Sequence, residues 1–375
     1  MLYFFLDSTE PLLARGLAKN WPACQLWNLD YLCDTINQPL KFRMAEKNPT
    51  DIRWETQCDF VFATIRQFRD WVDGSTNSSH PFSLYPKEKF SAYADYVYMS
   101  STDEFQKLAE DLGWENNFHV DDQPPSSTFW LGSSGANTLC HYDTYGVNLI
   151  VQIFGKKRWT LFPISDGPFL YPTRIPLEES TVFSEINFPN PDYTKHPLLL
   201  KTSPYSVTVE PGDILFLPRG WWHFVQSTDD SSVTCSVNWW IDQPALDNRA
   251  RLNEALTQIS AFSMLSTLCP NECRTVLHPT ELELFASNNF SDTLLQHVST
   301  LLQDESSANS HLSSSFRDWE RLEKCAINKL FPFHSSDQPC SQSLSTPKSL
   351  DVKSIIKAFL MPDVIDLVAS HLESQ

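Results

Sequence analysis

The spacing of apolar and polar positions divides this chain into a strand-like middle and helical flanks. From 128 to 241 the apolar residues alternate, or run on in short blocks bounded by turn residues, as strands do. Val147–Phe154 is one such block, Gly155-Lys156 follows it, and 157–163 resumes the pattern. A Gly-X pair between two blocks predicts a two-residue hairpin. Residues 207–218 read the same way, as strand, Pro211-Gly212 turn and strand.

Residues 1–125 read as a mixed α/β portion. Within it 11–17 and 41–44 are strand-like, and 27–36 has helical spacing with Asn28 as cap. Residues 64–72 predict an amphipathic helix stopped by Gly74, and 103–112 predict another capped by Ser101 or Thr102. An aromatic cluster fills 89–98. The proline-rich insert 166–203 predicts ordered loops near one rim of the strands. From Ala245 the period turns helical, with Leu246, Arg249, Leu252, Ala255, Leu256 and Ile259 on one face, and a second helix is expected over 279–302. Residues 306–346 are serine-rich, with a short helix over 316–330, and predict mobility. A last amphipathic helix over 351–372 breaks near Pro362.

Composition narrows the class. A net charge of −18 repels phosphate backbones and anionic lipid, so no nucleic-acid and no membrane partner is expected, while a basic protein partner stays open. Aromatic residues make up 13% of the 375 residues, with 10 glycines and 25 prolines, which suits a β-rich globular enzyme. The 9 cysteines form no C-x-x-C pair, and reduced thiols in the cytoplasm or nucleus are the simple reading. Cys269 and Cys273 come nearest to a motif, but His278 alone does not complete a zinc site. No apolar run approaches membrane-spanning length. Met1 to Leu6 is apolar without the basic flank and cleavage site of a signal peptide, and reads as a first strand or helix end.

The candidate chemistry lies in two phrases, His141-Tyr142-Asp143 and Trp221-Trp222-His223. Two residues apart on a strand, His141 and Asp143 project from one face and offer a nitrogen and an oxygen to one ion. H-x-D alone occurs by chance in many chains. With His223 following a Pro-Gly-Asp turn and strands flanking both phrases, two histidines and one carboxylate make a facial set with its other side open, the arrangement of non-haem Fe(II) oxygenases. The alternative is a barrel that has lost its metal. Of the two lysines that follow Gly155, Lys157 opens a strand among apolar residues and Lys156 sits on the turn; the alternative is that both are surface lysines.

TLCHYDTYGVNLIVQIFGKKRWTLFP, FLYPTRIP, VEPGDILFLPRGWWHFV and SVNWWI closely resemble JmjC-type 2-oxoglutarate oxygenases, in the branch that includes the asparaginyl hydroxylase of hypoxia-inducible factor. KFRM, KFSAYADYVY and LYPTRIPLEESTVFSEIN carry a narrower likeness to JmjC-type proteins associated with a small heat-shock protein. The likeness covers roughly residues 11–256. It implies a mainly β fold: a double-stranded β-helix (jelly-roll or cupin) barrel with N-terminal α/β elements and C-terminal helices. The units are then an N-terminal α/β portion packed on the barrel (1–125), the JmjC core (126–244), C-terminal helices (245–303), a serine-rich, partly disordered linker (304–350) and a last helix (351–375).

The same resemblance implies Fe(II) as cofactor and 2-oxoglutarate as cosubstrate, converted to succinate and carbon dioxide as a substrate carbon is hydroxylated, or demethylated where that carbon is an N-methyl group. It implies Lys157, Thr138, Tyr93, Asn148 and Asn238 around the cosubstrate; Tyr93 reads equally as core packing. Trp130, Tyr145, Trp221 and Trp239 are expected to wall the pocket, with Trp222 and Trp240 in the barrel wall. A protein substrate, with a small heat-shock protein as candidate, and a homodimer through the C-terminal helices are the implied partners. The competing class is a barrel retained as a scaffold that binds a small heat-shock protein.

Overall fold

The computed structural model describes residues 8–118, 126–266, 273–287, 290–303, 319–332 and 352–373. The Met1 to Leu6 segment, Cys269 and most of the serine-rich stretch lie outside the described residues.

Among the described residues, fifteen strands form two antiparallel sheets. In chain order they are β1 (Leu12–Ala14), β2 (Leu40–Glu46), β3 (Asp59–Ala63), β4 (Phe90–Tyr98), β5 (Ser127–Ser133), β6 (Asn137–Asp143), β7 (Val147–Phe154), β8 (Lys157–Phe162), β9 (Pro172–Glu178), β10 (Thr181–Ser184), β11 (Tyr205–Val209), β12 (Ile214–Pro218), β13 (Trp222–Ser227), β14 (Val233–Ile241) and β15 (Glu320–Arg321). The larger sheet runs β15-β1-β12-β7-β14-β5-β4-β2-β3 and the smaller β11-β8-β13-β6-β10-β9. Facing one another they make the mostly antiparallel jelly-roll barrel expected from the sequence.

This order overturns both expected hairpins. β7 and β8 lie in opposite sheets, as do β11 and β12, so Gly155-Lys156 and Pro211-Gly212 carry the chain across the barrel instead of folding it back. β7 pairs with β12 and β8 with β11, so two bent ribbons wind antiparallel around one axis. Gly155 sits at φ +64, and a Cβ there would lie 2.3 Å from the Val233 carbonyl oxygen. Only glycine permits that crossing.

The insert 166–203 is also more than loops. It contributes β9 and β10, and β10 pairs with the ligand-bearing β6, Thr181 opposite Asp143. Likewise the N-terminal portion extends the larger sheet through β1 to β4 and covers its outer face with helices. Leu29–Thr35 starts at Asn28, whose side chain accepts from the Tyr31 amide, and Ile65–Asp73 is held by a Thr64/Gln67 capping box and ends at Gly74. The third helix ends earlier than its pattern suggests, at Asp103–Ala109, and Thr102 makes no side-chain cap.

Pro244–Leu265 forms the long helix after the barrel. The expected second helix is two, Pro279–Phe285 and Phe290–Gln303, and the last is Val352–Phe359 and Pro362–Glu373, broken at the expected proline. Within 316–330 the described residues form β15 and the short helix Ile327–Leu330. Among the described residues no helix is long and apolar enough to cross a membrane.

Candidate metal centre

β6 and β13 are neighbours in the smaller sheet, and their register sets His223 directly opposite His141. Asp143 follows two residues along β6 on the same face. The His141 and His223 rings lie 4.1 Å apart, the Asp143 oxygens lie 3.7 Å from His141 Nε2 and 3.9 Å from His223 Nε2, and the donor atoms all fall within 4.8 Å of one another. Each His–Asp separation is less than twice a metal–ligand bond of about 2.1 Å, so one ion can join each pair.

Both imidazoles are oriented for this. Each Nδ1 faces a backbone carbonyl, Leu139 at 2.7 Å and Trp221 at 3.0 Å. A carbonyl only accepts, so the proton sits on Nδ1 and the Nε2 lone pair faces the centre. Burial holds both imidazoles towards the neutral form, with His141 further lowering His223, and pushes the Asp143 carboxyl well up. Neutral imidazoles and a carboxylate in need of countercharge fit a divalent cation.

The triad opens into a cavity of about 400 Å³ that also holds Tyr93, Thr138, Asn148, Lys157 and Asn238. Lys157 is 3% exposed, and its Nζ reaches Ser236 Oγ at 2.7 Å and Tyr93 Oη at 3.1 Å. Among the described residues no carboxylate lies within ion-pair distance of it, and burial lowers its pKa to about 8. Lys156, by contrast, is at the surface with Glu210 and Asp230. Asn238 donates to Asn148 at 3.0 Å and accepts from Trp130 Nε1 at 2.7 Å.

Comparison with known proteins agrees with this architecture. Residues 3–247 match the family model described as the cupin-like domain. The chain belongs to the cupin-like family, of JmjC type. It is 42% identical over 277 residues to HSPB1-associated protein 1 of Homo sapiens, covering 73% of this chain and 56% of that protein. It is 29% identical over 243 residues to tRNA wybutosine-synthesizing protein 5 of Homo sapiens, covering 61% and 71%. JmjC domain-containing protein E of Dictyostelium discoideum is 24% identical over 286 residues, covering 64% and 79%. The chain thus spans just over half the length of the HSPB1-associated relatives it matches.

Two devices of this cupin-like barrel escape a strand pattern. Thr138 and His141 both line the cavity although three residues apart, because β6 carries an extra residue against β13 between them. A second bulge, in β4 against β5, turns Tyr96 to the same side as Tyr93; Tyr96 sits there at φ 52. Neither bulge is written in the hydrophobic period.

Two expected wall residues are elsewhere. Trp221 packs in the barrel interior against Tyr205 and donates to the Thr9 carbonyl, outside the cavity lining. Trp239 faces the opposite side of β14, against Trp114 and Phe118. Alternation decides the latter, since Ser236, Asn238 and Trp240 share the cavity face. Trp130 and Tyr145 do line the cavity, and Trp222 packs outside it against Tyr142. Trp159, not singled out by the sequence reading, stacks beside His223 at 5.8 Å, its indole N–H buried without a hydrogen-bond partner among the described residues. It stands two residues beyond Lys157, and period two alone would have found it.

The sequence reading also missed the acidic opening. Glu178, Glu179 and Glu281 line it, the first two from the β9–β10 turn and the third from the helix Pro279–Phe285. Burial pushes Glu178 and Glu179 up to about 7. Behind them lies a buried ionic chain. Arg43 pairs with Asp95 at 2.7 Å and Glu55 at 3.6 Å; His278 pairs with Glu55 at 3.0 Å and approaches Glu178 at 3.7 Å. His278 is therefore tied into carboxylates.

Proposed function

We propose that this chain is an Fe(II)- and 2-oxoglutarate-dependent oxygenase that hydroxylates a protein side chain. The observation that supports it is one cavity uniting an open His-Asp-His face with a buried lysine that has no carboxylate partner among the described residues. His141, Asp143 and His223 would hold the iron. When bound, ferrous iron with 2-oxoglutarate and dioxygen supplies the oxidation, in which the keto acid becomes succinate and carbon dioxide and a substrate C–H becomes C–OH.

The residues of the chain position and shield. Lys157 would take the distal carboxylate of the keto acid, with the Tyr93 and Thr138 hydroxyls as further donors and Asn148 and Asn238 on the adjoining wall. Lys157 lies four residues along β8 from Leu161, which pairs with His223, a separation of roughly 13 Å at about 3.3 Å per residue. Lysine side chain and extended five-carbon diacid together can span it. Trp159 beside His223 keeps that side of the centre dry.

A small heat-shock protein as substrate or partner is part of the same proposal, supported by the name HSPB1-associated protein 1 borne by relatives. That name also favours a second reading, a JmjC-type scaffold that binds such a protein with little or no turnover. One experiment addresses both. Purified chain with Fe(II), 2-oxoglutarate and oxygen is expected to release succinate, faster with a small heat-shock protein, which then gains the mass of one oxygen atom. His141→Ala is expected to lose iron and turnover together; wild-type iron content in that variant overturns the ligand assignment. Bound iron and bound heat-shock protein without succinate favour the scaffold.

A further inference from the structure

The candidate metal centre is built from two strand ends, and one buried carboxylate outside it ties them together. Register fixes His141 against His223, where the pairing of β6 with β13 ends. Asp143 lies two residues beyond, at the last position of β6, and its carbonyl oxygen accepts from the Gly220 amide at 2.8 Å. The distance between the Asp143 carboxylate and the His223 ring therefore depends on two loops, 144–146 after Asp143 and 219–221 before His223. A metal site tolerates only about 0.2 Å in each ligand distance, so both loops need holding.

Asp247 holds both. It stands in the first turn of Pro244–Leu265 and is fully buried. Its Oδ2 accepts from the Gly146 amide at 2.9 Å, closing the loop after Asp143. Its Oδ1 accepts from Arg219 Nη1, which also donates to the Leu246 carbonyl at 2.9 Å, closing the loop before His223. Asp143, Gly220, Arg219, Asp247 and Gly146 thus form one closed ring, completed by the chain from 143 to 146. Gly146 sits at φ +71, a left-handed backbone that glycine adopts readily and that turns its amide to Asp247. The Thr144 amide, donating to the Ser180 carbonyl at 2.8 Å, holds the other edge of the same loop.

Starting its own helix would ask less of this side chain. Asp247 does accept from the Gln243 amide at 3.1 Å. Elsewhere in the chain the neutral side chains of Asn28 and Thr64 start helices. A carboxylate without exposed surface is costly to bury, and it persists where a cation and several donors converge on it. Of the three donors here, two belong to the loops beside the metal ligands.

We propose that Asp247 is a positioning residue for the metal centre, fixing Asp143 and His223 relative to one another through Gly146 and Arg219. Phe290–Gln303 and Pro362–Glu373 pack on the helix that carries it, so Asp247 also joins the C-terminal bundle to the centre. The inference rests on the metal-binding part of the oxygenase reading, and its test reads binding, not turnover.

Arg219 gives the cleaner variant, because its side chain is 37% exposed and both its contacts use one nitrogen, a role a lysine can fill. Full-length chains are titrated with Mn(II) and, separately, with Co(II), whose visible absorption reports the geometry of its ligands. Folding is checked by the thermal midpoint without metal. Arg219→Ala is expected to bind both ions about tenfold more weakly and to shift the Co(II) bands, while Arg219→Lys keeps wild-type affinity and spectrum. Asp247→Asn still accepts from Gly146 but turns amide N–H groups towards Arg219, and should weaken binding at least as much as Arg219→Ala. Wild-type affinity and spectrum in folded Arg219→Ala overturn the proposal, as do equal losses in the Ala and Lys variants. Wild type that binds neither ion defeats the metal reading and this inference together. Binding by wild type that Arg219→Ala weakens, without succinate release, defeats the oxygenase reading alone.

Discussion

At the scale of single residues, Lys157 carries the sharpest conflict between stability and use. It is buried, unpaired by any carboxylate among the described residues, and burial lowers its pKa to about 8 from the ordinary lysine value of about 10.5. That shift corresponds to a stability cost of about 3 kcal/mol in the cosubstrate-free protein. The unfolded chain binds the proton more tightly, so the cost is fully present below pH 8 and fades as pH rises towards the unfolded pKa. Lys157→Met is therefore expected to raise the melting temperature of the cosubstrate-free protein at pH 7 and to abolish 2-oxoglutarate binding, with the stability gain shrinking above pH 8. Melting curves of both proteins from pH 7 to pH 10 check this. A Met variant less stable than wild type at pH 7 would show that Lys157 belongs to the fold and not to a ligand.

At the scale of elements, most strands of the barrel are legible in the sequence and their partners are not. Val147–Phe154 and Lys157–Phe162 are strands as their pattern says, yet Gly155 sends the second into the opposite sheet. Strand, glycine, strand looks alike whether a turn closes within one sheet or crosses between two. His141, Asp143 and His223 stood out because a repeated donor pattern sits between turn signals. The bulges that bring in Thr138 and Tyr96 left no such mark, and Glu178 and Glu281 meet across more than a hundred residues of chain. His278 shows how that distant segment is fastened: residues 276–278 hydrogen-bond the backbone of Leu177 while the imidazole enters the carboxylates of Glu55 and Glu178. Burial alone would lower the His278 pKa, but Glu178 and Glu55 raise it to about 9. Its folded pKa thus lies above the unfolded value, and its stabilisation is full below about pH 6.5 and lost as pH rises through 9. Glu178, raised to about 7, works in the same direction, whereas Glu55, held at about 2, acts only under strong acid. His278→Gln is expected to lower the thermal midpoint most at pH 6 and hardly at all at pH 9.5. A deficit that grows with pH would exclude the imidazolium as the fastening.

At the scale of the whole molecule, the helices after the barrel face in two directions. Phe290–Gln303 and Pro362–Glu373 pack against Pro244–Leu265, burying Val298, Ile365 and Ala369 with Leu252 and Leu256. Their other sides expose Leu295 at 55%, Leu367 at 72% and Val368 at 45%, and the neighbouring Val352–Phe359 exposes Phe359 at 57%. Isolated exposed leucines are ordinary; several on helices of one bundle favour a partner surface. We propose a second copy of this chain as that partner. A charge of −18 on each copy opposes the association, and salt screens that repulsion over a Debye length of about 8 Å at physiological ionic strength. Sedimentation should therefore show a dimer that dissociates as salt is lowered, the reverse of an interface held by ion pairs. Leu367→Glu, remote in sequence from the cavity lining, is expected to give a monomer at every salt concentration with succinate release per chain retained. Monomeric wild type at high salt, or a Leu367→Glu chain that still sediments as the wild-type dimer, would remove these helices as the contact.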